Sequence, residues 1–510
     1  MAGEWLPYEP VAYDGPVDLV ADLCVIGTGA GGAVFASEAA EAGLRVVMLE
    51  KGGLYTRRDF TQDEETMMPR LFEQGGARTT SDGGIVLLHG SCVGGGTTVN
   101  WAICFDPPAQ VLDAWATQHG VEDVQLPALA PSLARVRHVL NVQRMRPEEV
   151  NENGRLFLRG AEALGLKAER FEHSRTACLG SGFCTLGCAY DRKQSMLVTY
   201  VPRAIRRGAR LLARAEATGF EREGDQVRSV TGHVTDPGTG RRHALRVRAA
   251  HVAVAAGALG TPRLLAQAGV TSPLLGRNLS LHPTSAVVAV FDHEVRGFEG
   301  IHYGAYADDP SGGYVLESVF AYPALAASTM LRAGEAAQRV MHAYTRMAAA
   351  IVLVHDQGRG RVHPGGEGAA QVDYALHPAD RRHFRRGLRQ LVELYLAAGA
   401  REVHVPAAAV PPIGRGASRA ALDAAFGALE VAPNRLALFS AHQMGTAPMA
   451  ADPARGVTDS FGRVHGLRNV WVADGSLLPT SLGVNPQITI AALADRAAHR
   501  LLALPDAQRR

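Results

Sequence analysis

The stretch Ala21–Glu50, ADLCVIGTGAGGAVFASEAAEAGLRVVMLE, decides the fold. Ala21–Ile26 is a short apolar run ended by glycine, which reads as a buried strand. Gly27–Gly32 (GTGAGG) is a glycine turn, and Ala33–Ala42 is alanine-rich and helical, with Gly43 stopping it as a C′ residue. Leu44–Glu50 returns as a second buried strand. Two near-continuous apolar strands joined by a helix make a βαβ unit of a parallel sheet. Gly27-x-Gly29-x-x-Gly32 lies between the first strand and the helix. Gly27 permits the tight turn, Gly29 lets backbone approach a pyrophosphate, and Gly32 lets the helix pack closely on the sheet. The helix N-terminus offers unpaired N–H groups and partial positive charge to phosphates. Glu50 ends the second strand, where it can accept hydrogen bonds from ribose hydroxyls. The unit therefore reads as a dinucleotide site. It does not by itself separate FAD from NAD, and an acidic residue on a 2′-hydroxyl argues against NADP.

The rest of the chain gives this unit its setting. At 510 residues it holds two to four domains by ordinary domain size. With 47% hydrophobic and 20% charged residues it has ample core material and is not a disordered chain. A formal charge of +2 gives no global attraction to nucleic acid or to an acidic membrane. Six cysteines do not make a secreted disulfide scaffold. The N-terminal residues lack a basic region followed by an apolar stretch, and no apolar run approaches the ~18 residues of a membrane span. The expectation is a soluble protein of a reducing compartment, the cytoplasm.

Further along, residues 51–110 are glycine-rich and irregular, and 151–175 read as helical. A Cys/Gly cluster spans 178–188. Leu197–Gly208 reads as a helix feeding a strand at Arg210–Ala215. His251–Gly257 is a buried strand, followed by an apolar helix opened by Thr261-Pro262. From 286 to 436 strands alternate with loops around one amphipathic helix near Pro378–Ala398. Phe384, Leu388, Leu391 and Tyr395 share its apolar face. Its arginines (381, 382, 385, 386 and 389) read as a solvated outer face rather than a basic binding face. Asn469–Ala473 is a last strand and Pro486–Leu502 a last helix. The texture implies a nucleotide domain assembled from separated segments, 1–285 and 437–510, with a second domain, 286–436, inserted. Residues 106–190 form part of a cap or linker carrying the cysteine loop.

Four further segments carry a resemblance to a known family. His89–Trp101 (HGSCVGGGTTVNW), Gly257–Val270 (GALGTPRLLAQAGV), Gly276–Pro283 (GRNLSLHP) and Ala441–Pro486 (AHQMGTAPM to VADGSLLPTSLGVNP) resemble the glucose–methanol–choline (GMC) oxidoreductases. The wording is closest to long-chain alcohol oxidases and FAD-containing cholesterol oxidases. The second signature departs at Gln267–Val270, where the family usually has a Ser-Gly pair. The resemblance implies an α/β fold: a Rossmann-like FAD domain plus an inserted α+β substrate domain with an antiparallel sheet. It implies FAD held by Gly27, Gly29, Gly32, Glu50, Gly95, Gly96, Asn100, Ala217, Gly257, Asp474, Gly475 and Pro486.

The resemblance also implies oxidation of a small-molecule alcohol, apolar by this wording, with oxygen or another carrier as electron acceptor. A flavin accepts a hydride, and a protein base must take the hydroxyl proton. His442 occupies the family's catalytic-histidine position. Asn485 occupies the second catalytic position, and locally it also reads as a helix N-cap with Pro486 at N1. His282 and His465 read as structural. Glu317 and Asp356 lie in the variable domain, where nothing in their spacing sets them above solvated carboxylates. Two alternatives stay open: a sugar or polyol dehydrogenase passing electrons onward, and a lyase on the same fold. Cys178, Cys184 and Cys188 are spaced C-x5-C-x3-C. They leave open small buried apolar cysteines, an iron–sulfur cluster or another metal, the last two needing Cys92, Cys104 or a histidine if four ligands are required. The loop is expected near the flavin, in a structural role.

Overall fold

The computed structural model describes residues 8, 12–309, 311–330, 334–363 and 370–505. Residues 1–7 and 9–11 therefore lie outside the described residues. A seven-stranded sheet forms the centre of the nucleotide half. Val17–Ile26 pairs in parallel with Val46–Glu50 on one side and with Arg242–Val254 on the other. Arg210–Ala213 adds in parallel beyond Val46–Glu50, and Val470–Val472 adds in parallel to Arg242–Val254. Gln226–Thr235 and Ala215–Glu223 extend the far edge antiparallel. Strands from both ends of the sequence thus meet in one sheet, as the separated-segment reading requires.

Helix Gly32–Glu41 covers this sheet with residues 32–40 all buried, and Gly43 ends it at φ +86°. Alanines let Gln487–Leu502 and Tyr200–Arg206 pack close against it. On the outer side, the Arg135 guanidinium pairs with the buried Asp495 carboxylate of the Gln487–Leu502 helix.

The second sheet is largely antiparallel. Its central strands are Thr284–Val290, Met347–Val354 and Tyr314–Ser318, flanked by Glu402–His404 and Ala305–Asp308. It does not respect the boundary drawn at 285/286, which cuts the Thr284–Val290 strand. It also recruits Ala168–Arg170, Phe439–Ser440 and Val86–Leu87 from outside 286–436. The helical reading of 151–175 holds only for Glu152–Ala163. Gly165 at φ +67° breaks the helix, and two short strands follow.

Helix Pro378–Ala397 backs this sheet, with Phe384, Leu388, Leu391 and Tyr395 fully buried. Its arginines are less free than a solvated face implies. Arg381 and Arg385 donate to the carbonyls of Val431 and Leu429, and Arg389 pairs with Asp423 and Glu393. Among the described residues no helix is long and apolar enough to cross a membrane.

The helix expected to open at Thr261-Pro262 begins at Gly257 instead, so Pro262 sits inside it. A proline there cannot donate to the carbonyl four residues back. The Thr446 hydroxyl takes that role, donating to Ala258 O at 2.8 Å. A residue of the C-terminal segment thereby completes a helix of the central one.

Candidate active site

A cavity of about 2270 Å³ lies between the two sheets. One end of it is the glycine turn. Gly27 has φ +102°, and a Cβ there would stand 2.2 Å from Ala255 O. A Cβ on Gly32 would stand 2.1 Å from Gly27 O, so Gly32 serves helix packing and lies behind the wall. At Gly29 and Gly96 a Cβ would meet nothing, because both face the open cavity. Gly31, outside the x-spaced motif, is as constrained as Gly27: its Cβ would stand 2.0 Å from Ala473 O.

Glu50 is buried, and its carboxylate accepts from Thr28 N, Thr28 Oγ1 and Gly52 N. Burial raises its pKa against those hydrogen bonds. Thr28, an "x" of the motif, also receives the Gly94 N–H on its hydroxyl oxygen at 3.0 Å. This fastens the second glycine run to the first. A Cβ on Gly95 would press to 2.8 Å from Gly29 Cα.

Asn100 lines the cavity, but its amide is already engaged, donating to Gln487 Oε1 and accepting from Ala102 N. Ala217 lies on the wall at the edge of the parallel sheet, opposite Gly232. Gly257 has φ +75°, and a Cβ there would strike the His89 ring. Asp474 accepts from Gly257 N, Thr261 Oγ1 and Ser476 N, so it ties its own segment to the helix Gly257–Gln267 as well as facing the cavity beside Gly475.

His442 and Asn485 also line this cavity. The segment carrying His442 is clamped by Gly276–Pro283. Ser280 and Met444 exchange both backbone hydrogen bonds at 3.0 Å, and Gly276 N donates to Thr446 O. Asn278, at φ +65°, ties Gly445 and Pro479 through its amide. Ser440 donates to Leu281 O and receives His442 N.

His282, read from sequence as structural, is fully buried at φ +47° and meets the His442 ring on one side and the Gly483 backbone on the other. Its Nδ1 lies 3.3 Å from His442 Nδ1, and its Nε2 accepts Gly483 N–H at 2.8 Å. With Nε2 an acceptor, a neutral His282 holds its proton on Nδ1, between the two rings. His442 then receives that proton's hydrogen bond on Nδ1 and carries its own hydrogen on Nε2. Burial holds the His442 ring down at about 4, so it is neutral at pH 7. Burial also depresses His282, with His442 and His355 adding to the effect.

Asp356 sets this arrangement from behind. It is buried and accepts from Leu281 N, His282 N, Tyr374 OH and Ser481 Oγ. It supports the site rather than meeting substrate.

Asn485 is not the N-cap. The last helix begins at Gln487 with Pro486 as its cap, so Asn485 stands one residue outside. Its Oδ1 is buried on the cavity wall with no partner. Pro486 also lines the cavity. His465 sits apart, its ring on Ala450 O.

The cysteine loop packs against the cavity's outer wall. Lys193, a buried residue that sequence reading passed over, donates to the carbonyls of Thr98, Asn100 and Cys184. Burial brings its pKa down to about 8. Trp101 borders both the main cavity and a pocket of about 30 Å³ at the loop. The three sulfurs do not gather as a ligand set with mutual spacings within 4.8 Å. Cys178 Sγ accepts from Gly180 N, and Cys188 Sγ accepts from the N–H groups of Arg192 and Lys193. Burial raises Cys178, and Cys184 to about 12, so both are thiols at neutral pH. The arrangement does not fit a single metal ion held by all three sulfurs.

Comparison with known proteins agrees with this geometry. GMC oxidoreductase family models match residues 68–284 and 356–494. An uncharacterized GMC-type oxidoreductase of Mycobacterium tuberculosis is 31% identical over 498 residues, covering 97% of this chain and 77% of its own length. Long-chain-alcohol oxidase FAO4B of Arabidopsis thaliana is 31% identical over 498 residues, covering 93% of this chain and 66% of the plant protein. Among solved structures, pyridoxine 4-oxidase from Mesorbium loti superposes with a TM-score of 0.72 at 19% identity, over 95% of this chain and 99% of that one. The glycine cradle, the clamped His442 segment and these matches lead to one assignment: the chain belongs to the GMC oxidoreductase family.

Proposed function

We propose that the protein is an FAD-dependent enzyme that oxidises the CH–OH group of a largely apolar alcohol to an aldehyde or ketone. The observation that carries this reading is that His442 and the unpartnered Asn485 Oδ1 share a cavity with the glycine cradle. The residues fit FAD. Gly29 and Gly96 leave space for an extended cofactor, the N-terminus of helix Gly32–Glu41 faces it, and Glu50 retains acceptor capacity for a ribose. Ala217, Gly257, Asp474 and Gly475 complete that wall. When bound, FAD supplies the hydride acceptor.

The chain's own residues supply the rest. Asn485 orients the substrate oxygen without titrating. His442 Nε2 faces that oxygen. It is a hydrogen-bond donor while His282 donates to Nδ1, and it accepts the hydroxyl proton once the pair has inverted: His442 Nε2 releases its proton to solvent, the shared proton passes from His282 Nδ1 to His442 Nδ1, and His282 Nε2 takes a proton from solvent. Inversion sacrifices the Gly483 hydrogen bond on His282, a cost of ~1–3 kcal/mol. The apolar sheet face above the cavity keeps water from the reacting carbon.

The likeness to a plant long-chain-alcohol oxidase favours an alcohol oxidase over a sugar dehydrogenase. The test is anaerobic mixing of the FAD-loaded protein with a panel of alcohols. Loss of oxidised-flavin absorbance supports the reading, and absence of bleaching by every alcohol refutes it. Recovery on readmitting oxygen marks an oxidase, and recovery only with an artificial acceptor marks a dehydrogenase. Turnover with the flavin oxidised throughout marks a lyase. Iron and acid-labile sulfide assays decide the cluster alternative.

A further inference from the structure

The second sheet turns one face to the cavity. Side chains of a strand alternate between faces, so Thr284, Ala286 and Val288 point the same way. So do Ala349, Ile351 and Leu353 on the neighbouring strand, and Glu317 and Val319 on the next. In that row of aliphatic and small residues Glu317 is the one ionisable group. It is 1% exposed, and neither carboxylate oxygen has a hydrogen-bond partner. The charge that acts on it, Asp308, is of its own sign.

The other buried carboxylates near the site are different. Asp356 accepts four hydrogen bonds and Asp474 three, and each joins segments that would otherwise part. Glu317 joins nothing. A buried carboxyl without partners costs stability, and a valine or leucine would fill this strand position at no such cost. What remains for Glu317 is a partner that enters the cavity.

The register locates it. Glu317 pairs with Ile351, and Ile351 with Ala286. Thr284, two residues along, pairs with Phe439, three residues before His442. Three strand spacings and two residue steps separate the Glu317 and Phe439 backbones by roughly 15 Å. That separation sets Glu317 apart from the strand that leads to His442 and leaves it within reach of the far end of the same molecule.

We propose that Glu317 is a specificity-determining residue that receives a second hydrogen-bond donor of the substrate. That donor is a hydroxyl or an ammonium carried several carbons from the CH–OH group oxidised at His442. This rests on the alcohol oxidation proposed above and names its substrate class: long diols and amino alcohols ahead of plain alkanols. Burial pushes the Glu317 carboxyl up to about 8, so at neutral pH it offers one O–H and one acceptor oxygen, which matches a hydroxyl. An ammonium takes the ionised form instead, its proton-rich head replacing the proton that Glu317 gives up to solvent.

The experiment uses FAD-loaded wild type, Glu317→Gln and Glu317→Leu. The substrates are a straight-chain alkanol, the diol with hydroxyls at both ends, and the amino alcohol of the same length. Anaerobic flavin reduction is read as kcat/KM. Wild type should favour the better of the two bifunctional alcohols over the alkanol on the order of 10-fold. Glu317→Leu should erase that ratio while keeping or raising the rate on the alkanol. Glu317→Gln, which donates and accepts, should keep preference for the diol and lose it for the amino alcohol. An unchanged ratio in Glu317→Leu overturns the proposal. If no alcohol reduces the flavin, the oxidation reading fails by itself, and binding decides the matter of Glu317. The diol and the amino alcohol are then titrated as ligands by perturbation of the flavin spectrum. Weaker binding of either in Glu317→Leu supports the proposal, and equal binding overturns it.

Discussion

Glu317 also gives the protein a pH dependence whose sign can be worked out. Its carboxyl ordinarily titrates near 4.5, and burial takes it to about 8 in the folded chain. Between those values the unfolded chain has released this proton while the native state keeps it. Folding then takes up a proton, and stability falls as pH rises. The contribution is present in full below pH 4.5 and is lost as pH climbs through about 8, after which both states are ionised. One pH unit inside the window is worth ~1.4 kcal/mol per proton, so from pH 5 to pH 8 the loss is on the order of 4 kcal/mol. Because the group is buried, solvent screening does little to reduce it. Glu317→Gln has the same shape and no proton to exchange. Melting of the holoprotein, followed by release of flavin fluorescence at fixed ionic strength, should show wild type falling a few degrees relative to Glu317→Gln between pH 6 and 8.5. Parallel curves, or wild type gaining on the variant as pH rises, would show that the carboxyl is ionised and paired in the native state. That result would refute the reasoning. A saturating amino alcohol should abolish the divergence, since a bound ammonium keeps Glu317 ionised.

Four further outcomes follow from the site. His442→Ala should lower alcohol-driven flavin reduction by ~10²–10⁴-fold with FAD still bound, read by stopped flow against the absorbance of the purified protein. Asn485→Ala should also slow reduction while leaving the melting temperature unchanged, because Asn485 caps no helix; a drop equal to that of a lost N-cap, ~1 kcal/mol, would restore the capping role. Asp356→Asn leaves two of four donors poorly matched and should cost ~1–3 kcal/mol of stability. It should also change kcat through the His282 backbone, and an unchanged kcat would show that the brace does not reach His442. Gly31→Ala places a Cβ 2.0 Å from Ala473 O and should prevent recovery of FAD-loaded protein; normal yield and flavin content would mean that the turn is softer than its geometry states.

Much of this was legible in the sequence for one reason: the residues involved are held by local constraint. Gly27 and Gly32 are glycines because a Cβ at either meets backbone within a few residues or across one strand. Such positions appear as spaced glycines whatever the rest of the chain does. The apolar runs Ala21–Ile26 and Leu44–Glu50 and the stripe Phe384–Tyr395 are legible for the same reason, since periodicity is local, whereas the half-exposed start of the first strand at Val17 is not. The boundary misreadings are of the opposite kind. Nothing near residue 168 announces that Ala168–Arg170 will add to a sheet whose next strand begins at 305. Pro262 looks like a helix opener until Thr446, far along the chain, supplies the donor its carbonyl partner lacks.

The functional residues that sequence reading undervalued share that second character. Thr28, Lys193, His282 and Asp356 act by joining segments remote in sequence. Thr28 joins the two glycine runs, and Lys193 ties the cysteine loop to the Thr98–Asn100 strip. His282 links the loop before Asn485 to the ring of His442. A lone histidine or aspartate carries no sign of such a partner. The useful signal is the count of hydrogen bonds at a buried polar group, which only the folded chain provides. Asp356, with four, is explained by the fold. Glu317 and Asn485 Oδ1, with none and both on the cavity wall, are not. Burying them makes sense when a ligand completes them, and their separation then measures the ligand. One group waits beside His442 for the oxygen being oxidised. The other lies across the sheet, its backbone roughly 15 Å from that of Phe439 on the strand that leads to His442, so the molecule that satisfies both must be long, mostly apolar and polar at each end.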